Sequence, residues 1–250
     1  MLYRNREIDC AFDFVAKSDF DIFCLQEVPE EMLARLKSLP YSLAFRIDTE
    51  KVFPSGIVPM YNVILSKYPI TAQGEISFAD YWQSFSLRMR LFTFFMRPFH
   101  FSPVRNRGGI YADVSVNGKS LRMFCLHLIL AHPEWRLKEF EHAMLERDPS
   151  KPTIVCGDFN ILEKPHITPL NWLLGGRVTD AFFHRRERTT IEKRFVEHEL
   201  VNALRDSVTH PLSRSQLDHI LVSHSFSIEN ASVLPERIGS DHHPILVEIS

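Results

Sequence analysis

The stretch GGIYADVSVNGKSLRMFCLHLIL, residues 108–130, decides the fold class. It reads as a β-hairpin with Asn117-Gly118 at its turn, because Asn and Gly tolerate the positive φ angles of a two-residue connection. A hairpin joins antiparallel neighbours, so an all-parallel doubly wound sheet is excluded. Upstream, apolar spacing over residues 7–18 predicts a helix with Ile8, Phe12 and Val15 on one face. DIFCLQEV (21–28) reads as a buried strand stopped by Pro29, and EEMLARLKSL (30–39) as a helix with Met32, Leu33 and Leu36 inward. YSLAFRI (41–47) and YNVILS (61–66) are strand candidates. FSLRMRL (85–91) alternates strictly, with Phe85, Leu87, Met89 and Leu91 on one side and Ser86, Arg88 and Arg90 on the other, which predicts a strand.

Downstream, a helix is expected from Pro133 to Glu146, a buried strand in PTIVCGDF (152–159) and a helix near Pro169–Leu174. A polar, basic stretch follows from His184 to Arg214, and LDHILVS (217–223) and HHPILVEIS (242–250) close the chain as strands. Helical and strand-like segments intermix without a linker or a repeat. The expectation is one α/β domain over residues 1–250, with mixed or antiparallel sheets.

Composition narrows the class further. The chain has 250 residues, 45% hydrophobic and 24% charged, which excludes disorder and coiled coil and allows a substantial core. With 29 basic against 31 acidic residues the net charge is −2, so contact with a polyanion needs a local patch. Cys24, Cys125 and Cys156 sit in apolar runs and read as reduced core residues, without C-x-x-C spacing for structural zinc. MLYRNREID carries charge where a signal peptide is apolar, and no stretch reaches the roughly 18–20 apolar residues of a membrane span. A soluble, cytoplasmic, monomeric protein is expected. The 20 Phe and 12 His are an unexplained excess.

Chemistry-bearing residues gather at the ends of the apolar strands: Glu27, His127, Asp158 with Asn160, Asp218, and Asp241 with His242. Each alone has a structural reading, a turn for the Gly-Asp pair or a hydrogen-bonded core imidazole for His127. Together they supply carboxylates for a hard cation, imidazoles for proton transfer and an amide donor.

DIFCLQEV (21–28), FCLHL (124–128), IVCGDFN (154–160), LDHILVS (217–223) and GSDHHPI (239–245) together resemble the motifs of the endonuclease/exonuclease/phosphatase, or DNase I-like, superfamily, in the family's order. The resemblance implies an α/β (α+β) four-layer sandwich, two mixed β-sheets face to face with helices outside. It also implies cleavage of phosphate esters with Mg²⁺, Mn²⁺ being a substitute. Carried over, Glu27 and Asp241 resemble the metal-binding acids. His242 resembles the conserved His oriented by Asp218, and Asp158 the residue that positions or deprotonates the attacking water. Asn160 would donate to a phosphate oxygen, and His127 would contact the phosphate or leaving oxygen. His243 is expected to be peripheral.

The family opens with a strand ending in a metal-linked Asn, whereas this chain begins almost at the following helix. The first strand is therefore expected to be missing, and Asn5 reads as a loop residue. Either the chain is a shortened form of an active lineage or the member lacks that strand and binds metal more weakly.

Substrate class rests on two basic segments. Residues 81–112 contain no Asp or Glu but hold Arg88, Arg90, Arg97, Arg105 and Arg107 among nine aromatics. They read as a core strand pair, as a nucleic-acid surface, or as an interfacial loop dipping into lipid, with membrane contact through 91–101. A second cluster, His184, Arg185, Arg186, Arg188, Lys193 and Arg194, is either a solvated face or a phosphate grip. The substrate-binding candidates are Arg107, Arg185 and Arg186. Phosphodiester hydrolysis at nucleic-acid ends is the preferred reading, and the alternatives are a phospholipid or phosphoinositide hydrolase and a degenerate binder of phosphate-rich partners.

Overall fold

The computed structural model describes residues 7–53, 56–96, 104–183 and 185–250. In chain order the elements begin with α1 (Ile8–Lys17), β1 (Ile22–Pro29), α2 (Glu30–Leu36), β2 (Ser42–Phe53), β3 (Gly56–Ser66) and β4 (Ile70–Ser77). They continue with α3 (Leu87–Met96), β5 (Val104–Arg105), β6 (Gly108–Val116), β7 (Lys119–His127), α4 (Pro133–Met144) and β8 (Thr153–Asp158). The last are α5 (Pro169–Leu173), α6 (Val178–Phe182), α7 (Arg186–Glu197), β9 (Leu200–Asn202), β10 (Asp218–Ser223), β11 (Ile228–Val233) and β12 (Ile245–Ile249).

Two sheets dominate. One has the order β1-β3-β2-β5, and the other β4-β6-β7-β8-β10-β9; β11 and β12 form a separate ribbon. The smaller sheet is antiparallel throughout, whereas the larger is mixed, with β7 parallel to β8. That parallel pair requires a crossover, which α4 supplies. The 108–130 hairpin forms as β6 and β7, with Asn117 at φ 50° and Gly118 at φ 76° in the turn.

Three apolar clusters define four layers. Ala44 and Ile64 of the smaller sheet meet Ile110, Ala112, Met123, Cys125 and Ile154 of the larger, closing the middle. On the outer face of the smaller sheet, Ala11, Val15, Met32, Leu33 and Leu36 of α1 and α2 cover Phe23, Val63 and Leu65. On the far side, Phe140 and Ala143 of α4 and Ile191 and Phe195 of α7 cover Phe124, Val155 and Leu221. Part of the phenylalanine excess is spent here: Phe140, Phe159 and Phe195 pack edge-on or tilted, with centroids 5.2–5.8 Å apart.

The strand expected at 85–91 is a helix. Alternation over seven residues is too short to outweigh Leu, Arg and Met, which are good helix formers, and the apolar spacing continues at helical period to Phe95. The phenylalanines here divide: Phe85 and Phe92 pack against the Met89 cluster, whereas Phe94 and Phe95 are exposed. Arg97 and Phe101 fall outside the described residues, as does Asn5. Among the described residues no strand precedes α1, and β1 lies at its sheet's edge. No described helix is long and apolar enough to cross a membrane.

Backbone register is what positions the site. In the β7/β8 pairing His127 stands opposite Asp158, and in the β8/β10 pairing Asp158 stands opposite Asp218. Gly157 makes the close approach here. At φ 154° it faces Leu126 so tightly that a Cβ would lie 1.9 Å from the Leu126 carbonyl oxygen.

Candidate active site

His127 ends β7 with its ring against two carboxylates. Nδ1 is 2.7 Å from Oδ2 of Asp48, which is fully buried on β2, and Nε2 is 3.9 Å from Oδ2 of Asp158. Burial disfavours the imidazolium, but the charge and hydrogen bond of Asp48 outweigh it and raise the His127 pKa to about 9. Burial pushes the Asp158 carboxyl up, with His242 pulling it the other way.

A second imidazole–carboxylate pair sits alongside. His242 Nδ1 is 2.7 Å from Asp218 Oδ2, and the Asp218 and Asp158 charges overcome burial to lift the His242 pKa to about 10. The loop before β10 is clamped by buried Thr209, whose Oγ1 accepts from the backbone N–H of Leu217 and Asp218. The same loop carries His210, whose ring centroid is 4.7 Å from that of His242. Burial, reinforced by the His242 charge, lowers the His210 pKa to about 4, so this imidazole is neutral near pH 7. His243 points its Nδ1 at the Leu234 carbonyl, 3.0 Å away.

Both raised pKa values carry a stability consequence for metal-free protein. An imidazole whose folded pKa exceeds its unfolded value of 6.5 contributes fully below that pH, and the contribution is lost as pH rises through about 9 and 10. The Tm in EDTA is expected to fall steadily from pH 7 to pH 10. A Tm that is flat over that range in differential scanning calorimetry would show that the two pairs are not charged in the folded state.

Glu27 sits at a bulge in β1, where the register with β3 shifts between Leu25 and Val28, and takes φ 52°. A non-glycine residue in the left-handed region is strained, and such strain collects at working sites. Its carboxylate accepts from Lys51 Nζ at 2.8 Å. Burial alone would raise its pKa, but Lys51 and His127 reverse the shift and keep it ionised. Asn160 is also left-handed, at φ 54°. Its amide donates to the Leu128 carbonyl at 2.9 Å and its backbone N–H to Asp158 Oδ1 at 2.8 Å.

Arg107, expected to meet substrate, is instead buried beneath the site. It is ion-paired with Glu139 and donates to the His127 carbonyl at 2.7 Å, while Glu139 also accepts from Ile129 N–H at 2.7 Å. Arg185 is at the surface, paired with Asp206, and Arg186 donates to Thr179 Oγ1 at 2.8 Å; neither is bonded to the cluster. Asp48, Lys51, His210 and Glu139 were missed from sequence. Asp48 and Lys51 had a faint signal, lying among the three charges that follow an apolar strand candidate in FRIDTEK, whereas Glu139 is indistinguishable from any acid on a helix.

The carboxylates of this cluster are oxygen donors of the kind a divalent cation takes. Asp158, Asp218 and His242 offer ligand atoms within 4.8 Å of one another, as do His210, Asp241 and His242. Glu27 belongs to neither group.

The sequence model of the Endonuclease/Exonuclease/phosphatase family matches residues 3–242. The chain belongs to this family. The four-layer architecture agrees with solved structures of endonuclease/exonuclease/phosphatase proteins. An endonuclease/exonuclease/phosphatase family protein from Leptotrichia buccalis is 16% identical with a TM-score of 0.64, over 98% of this chain and 92% of that one. A mannosyl-6-phosphatase from Bacteroides thetaiotaomicron is 19% identical with a TM-score of 0.57, over 98% and 91%. A humanized D. rerio TDP2 is 13% identical with a TM-score of 0.58, over 100% and 94%. No curated protein matches the chain. Endonuclease/exonuclease/phosphatase proteins hydrolyse phosphoesters and generally use a divalent metal, a chemistry these strand ends can serve.

Proposed function

We propose that the chain is a Mg²⁺-dependent phosphodiester hydrolase that attacks the ester with water. The observation that carries this reading is the pair of carboxylate-oriented imidazoles, Asp48–His127 and Asp218–His242, flanking Asp158 at one end of a sheet. In-line displacement needs a proton acceptor for the entering water and neutralisation of the oxygen that leaves. Asp158 takes the proton from water, and the water oxygen bonds to phosphorus as the ester P–O bond breaks. An imidazolium donates a proton to the departing oxygen, and Asn160 hydrogen-bonds a non-bridging oxygen. The family resemblance assigns the cation to Glu27 and Asp241; Asp241 clusters with His210 and His242, whereas Glu27 is held by Lys51. A bound cation would supply charge neutralisation on the phosphate.

Two substrate classes follow from the sequence, nucleic-acid ends and lipid headgroups. The arginines behind the nucleic-acid reading are engaged within the chain: Arg105 with Glu50, Arg107 with Glu139 and Arg185 with Asp206. That favours the lipid class, which the exposed face of α3 supports further below.

The test is a panel of duplex DNA, 5′-tyrosyl DNA, RNA, sphingomyelin and phosphoinositides, with and without EDTA. Turnover that needs Mg²⁺ supports the reading, whereas turnover indifferent to EDTA, or none on any phosphoester, overturns it. Glu27→Gln is expected to raise the Mg²⁺ concentration for half-maximal rate by about 10–100-fold, as loss of a ligand's charge weakens the site. An unchanged Mg²⁺ titration would remove Glu27 from the metal site.

A further inference from the structure

We propose that α3 is a membrane-docking helix that seats the candidate site against an anionic lipid surface. At 3.6 residues per turn, Leu87, Leu91, Phe94 and Phe95 fall within an arc of about 100°, and Met89 and Thr93 lie on the opposite side. The inner side is packed: Met89 joins Ile129, Ala131 and Leu174, with Phe85, Phe92 and Trp135 around them. The outer side presents Leu87 at 74% exposure, Phe95 at 69%, Phe94 at 59% and Leu91 at 49%. A helix on a water-facing surface normally turns its polar stripe outward, and here the outward stripe is apolar.

The apolar surface extends beyond one helix. Arg88 donates to the Gly176 carbonyl at 2.9 Å and lies over the Trp172 ring, tying α3 to the turn that leads into α6. Val178, Phe182 and Phe183, on and just after α6, are also exposed. Apolar side chains exposed in this density on linked helices mark an interaction face.

Charge selects the occupant. Residues 81–112 contain no carboxylate, so nothing in this segment repels an anionic headgroup. Arg90 flanks the apolar stripe, exposed, with hydrogen bonds to the Phe85 and Gln83 carbonyls that leave its charge unneutralised by them. The outward Leu and Phe offer apolar side chains to a bilayer interface, and Arg90 beside them offers a charge to an anionic headgroup. Position gives the surface its use. Ile129, packed under α3, is two residues beyond His127, so the docking face stands at the catalytic end of the larger sheet.

Docking needs only this surface; its value to catalysis rests on the hydrolase reading above. The experiment is co-sedimentation with vesicles of phosphatidylcholine alone and of an equimolar mixture with phosphatidylserine. Wild type is expected to pellet with the mixed vesicles, and Phe94→Ser/Phe95→Ser to bind them at least about tenfold more weakly, as two aromatic side chains leave the interface. Arg90→Glu should weaken binding to mixed vesicles alone. His242→Ala should pellet like wild type, and Phe94→Ser/Phe95→Ser should hydrolyse a soluble aryl phosphodiester at the wild-type rate. Wild type that pellets with mixed vesicles yet shows no turnover of the soluble phosphodiester would count against the hydrolase reading without touching docking. Wild type that ignores both vesicles, or a double variant that binds as wild type does, overturns the proposal. So does a double variant that loses affinity for a single-stranded oligonucleotide while keeping its vesicle binding, since the face would then serve nucleic acid.

Discussion

His242→Ala is expected to lower kcat for phosphodiester hydrolysis by ~10²–10⁴-fold, the range for removing a positioned acid or base. The ring is held at Nδ1 by Asp218, 2.7 Å away, which fixes its orientation and favours the imidazolium. Its pKa of about 10 means that it is charged across the neutral range, so deletion removes both a proton donor and a positive charge beside Asp158. Asp158 in turn loses a neighbour that favours its ionised form, and the pH profile of the variant should shift upward on its acidic limb. Asp218→Asn is expected to cost less than His242→Ala, and the double variant no more than His242→Ala alone, because Asp218 acts through the imidazole. Steady-state kinetics on the soluble aryl phosphodiester checks all three. A kcat for His242→Ala within threefold of wild type would take His242 out of the reaction.

Glu139→Ala should give the largest loss of stability, about 3–5 kcal/mol, because it strands a charge already withdrawn from water. Arg107 and Glu139 are both buried, and the carboxylate also accepts from Ile129 N–H. Burial pushes the Glu139 carboxyl up, and the Arg107 guanidinium beside it opposes that shift and favours the ionised form. For a domain of this size the loss corresponds to a Tm decrease of roughly 6–20 °C. Replacing both with Met should cost less than Glu139→Ala alone, since no unpaired ion remains. A single variant that melts within 2 °C of wild type would show that the pair does not hold the structure together. Because Arg107 also donates to the His127 carbonyl, the surviving folded fraction should have a lower kcat.

Much of this architecture was legible in the sequence wherever local chemistry and burial agreed. The Asn117-Gly118 turn, the apolar strands around Cys24, Cys125 and Cys156, and the polar residues at their ends all lie where local pattern places them. The reading failed at 85–91, where two periods compete over one turn or two and helix-forming residues decided the outcome. It also failed for partners that only tertiary contact reveals. Asp48 reaches His127 across 79 residues, Glu139 takes Arg107 away from any substrate, and Lys51 reaches Glu27 from another strand. Arginine counts in a one-dimensional segment record charge but not whether that charge is already answered, as Arg105, Arg107 and Arg185 are by Glu50, Glu139 and Asp206.

The register at the end of the larger sheet has a consequence for divergence. His127, Asp158 and Asp218 occupy successive rungs of one hydrogen-bonded ladder, so their separations are multiples of an interstrand spacing of about 4.8 Å, which every sheet obeys. The spacing of these three side chains is thus gauged by the backbone, not by the loops that surround them. Loops and rim helices such as α3 can be exchanged, lengthened or made greasy without recalibrating the chemistry, and the same ruler can be presented to sugar phosphates, nucleic acids or lipid.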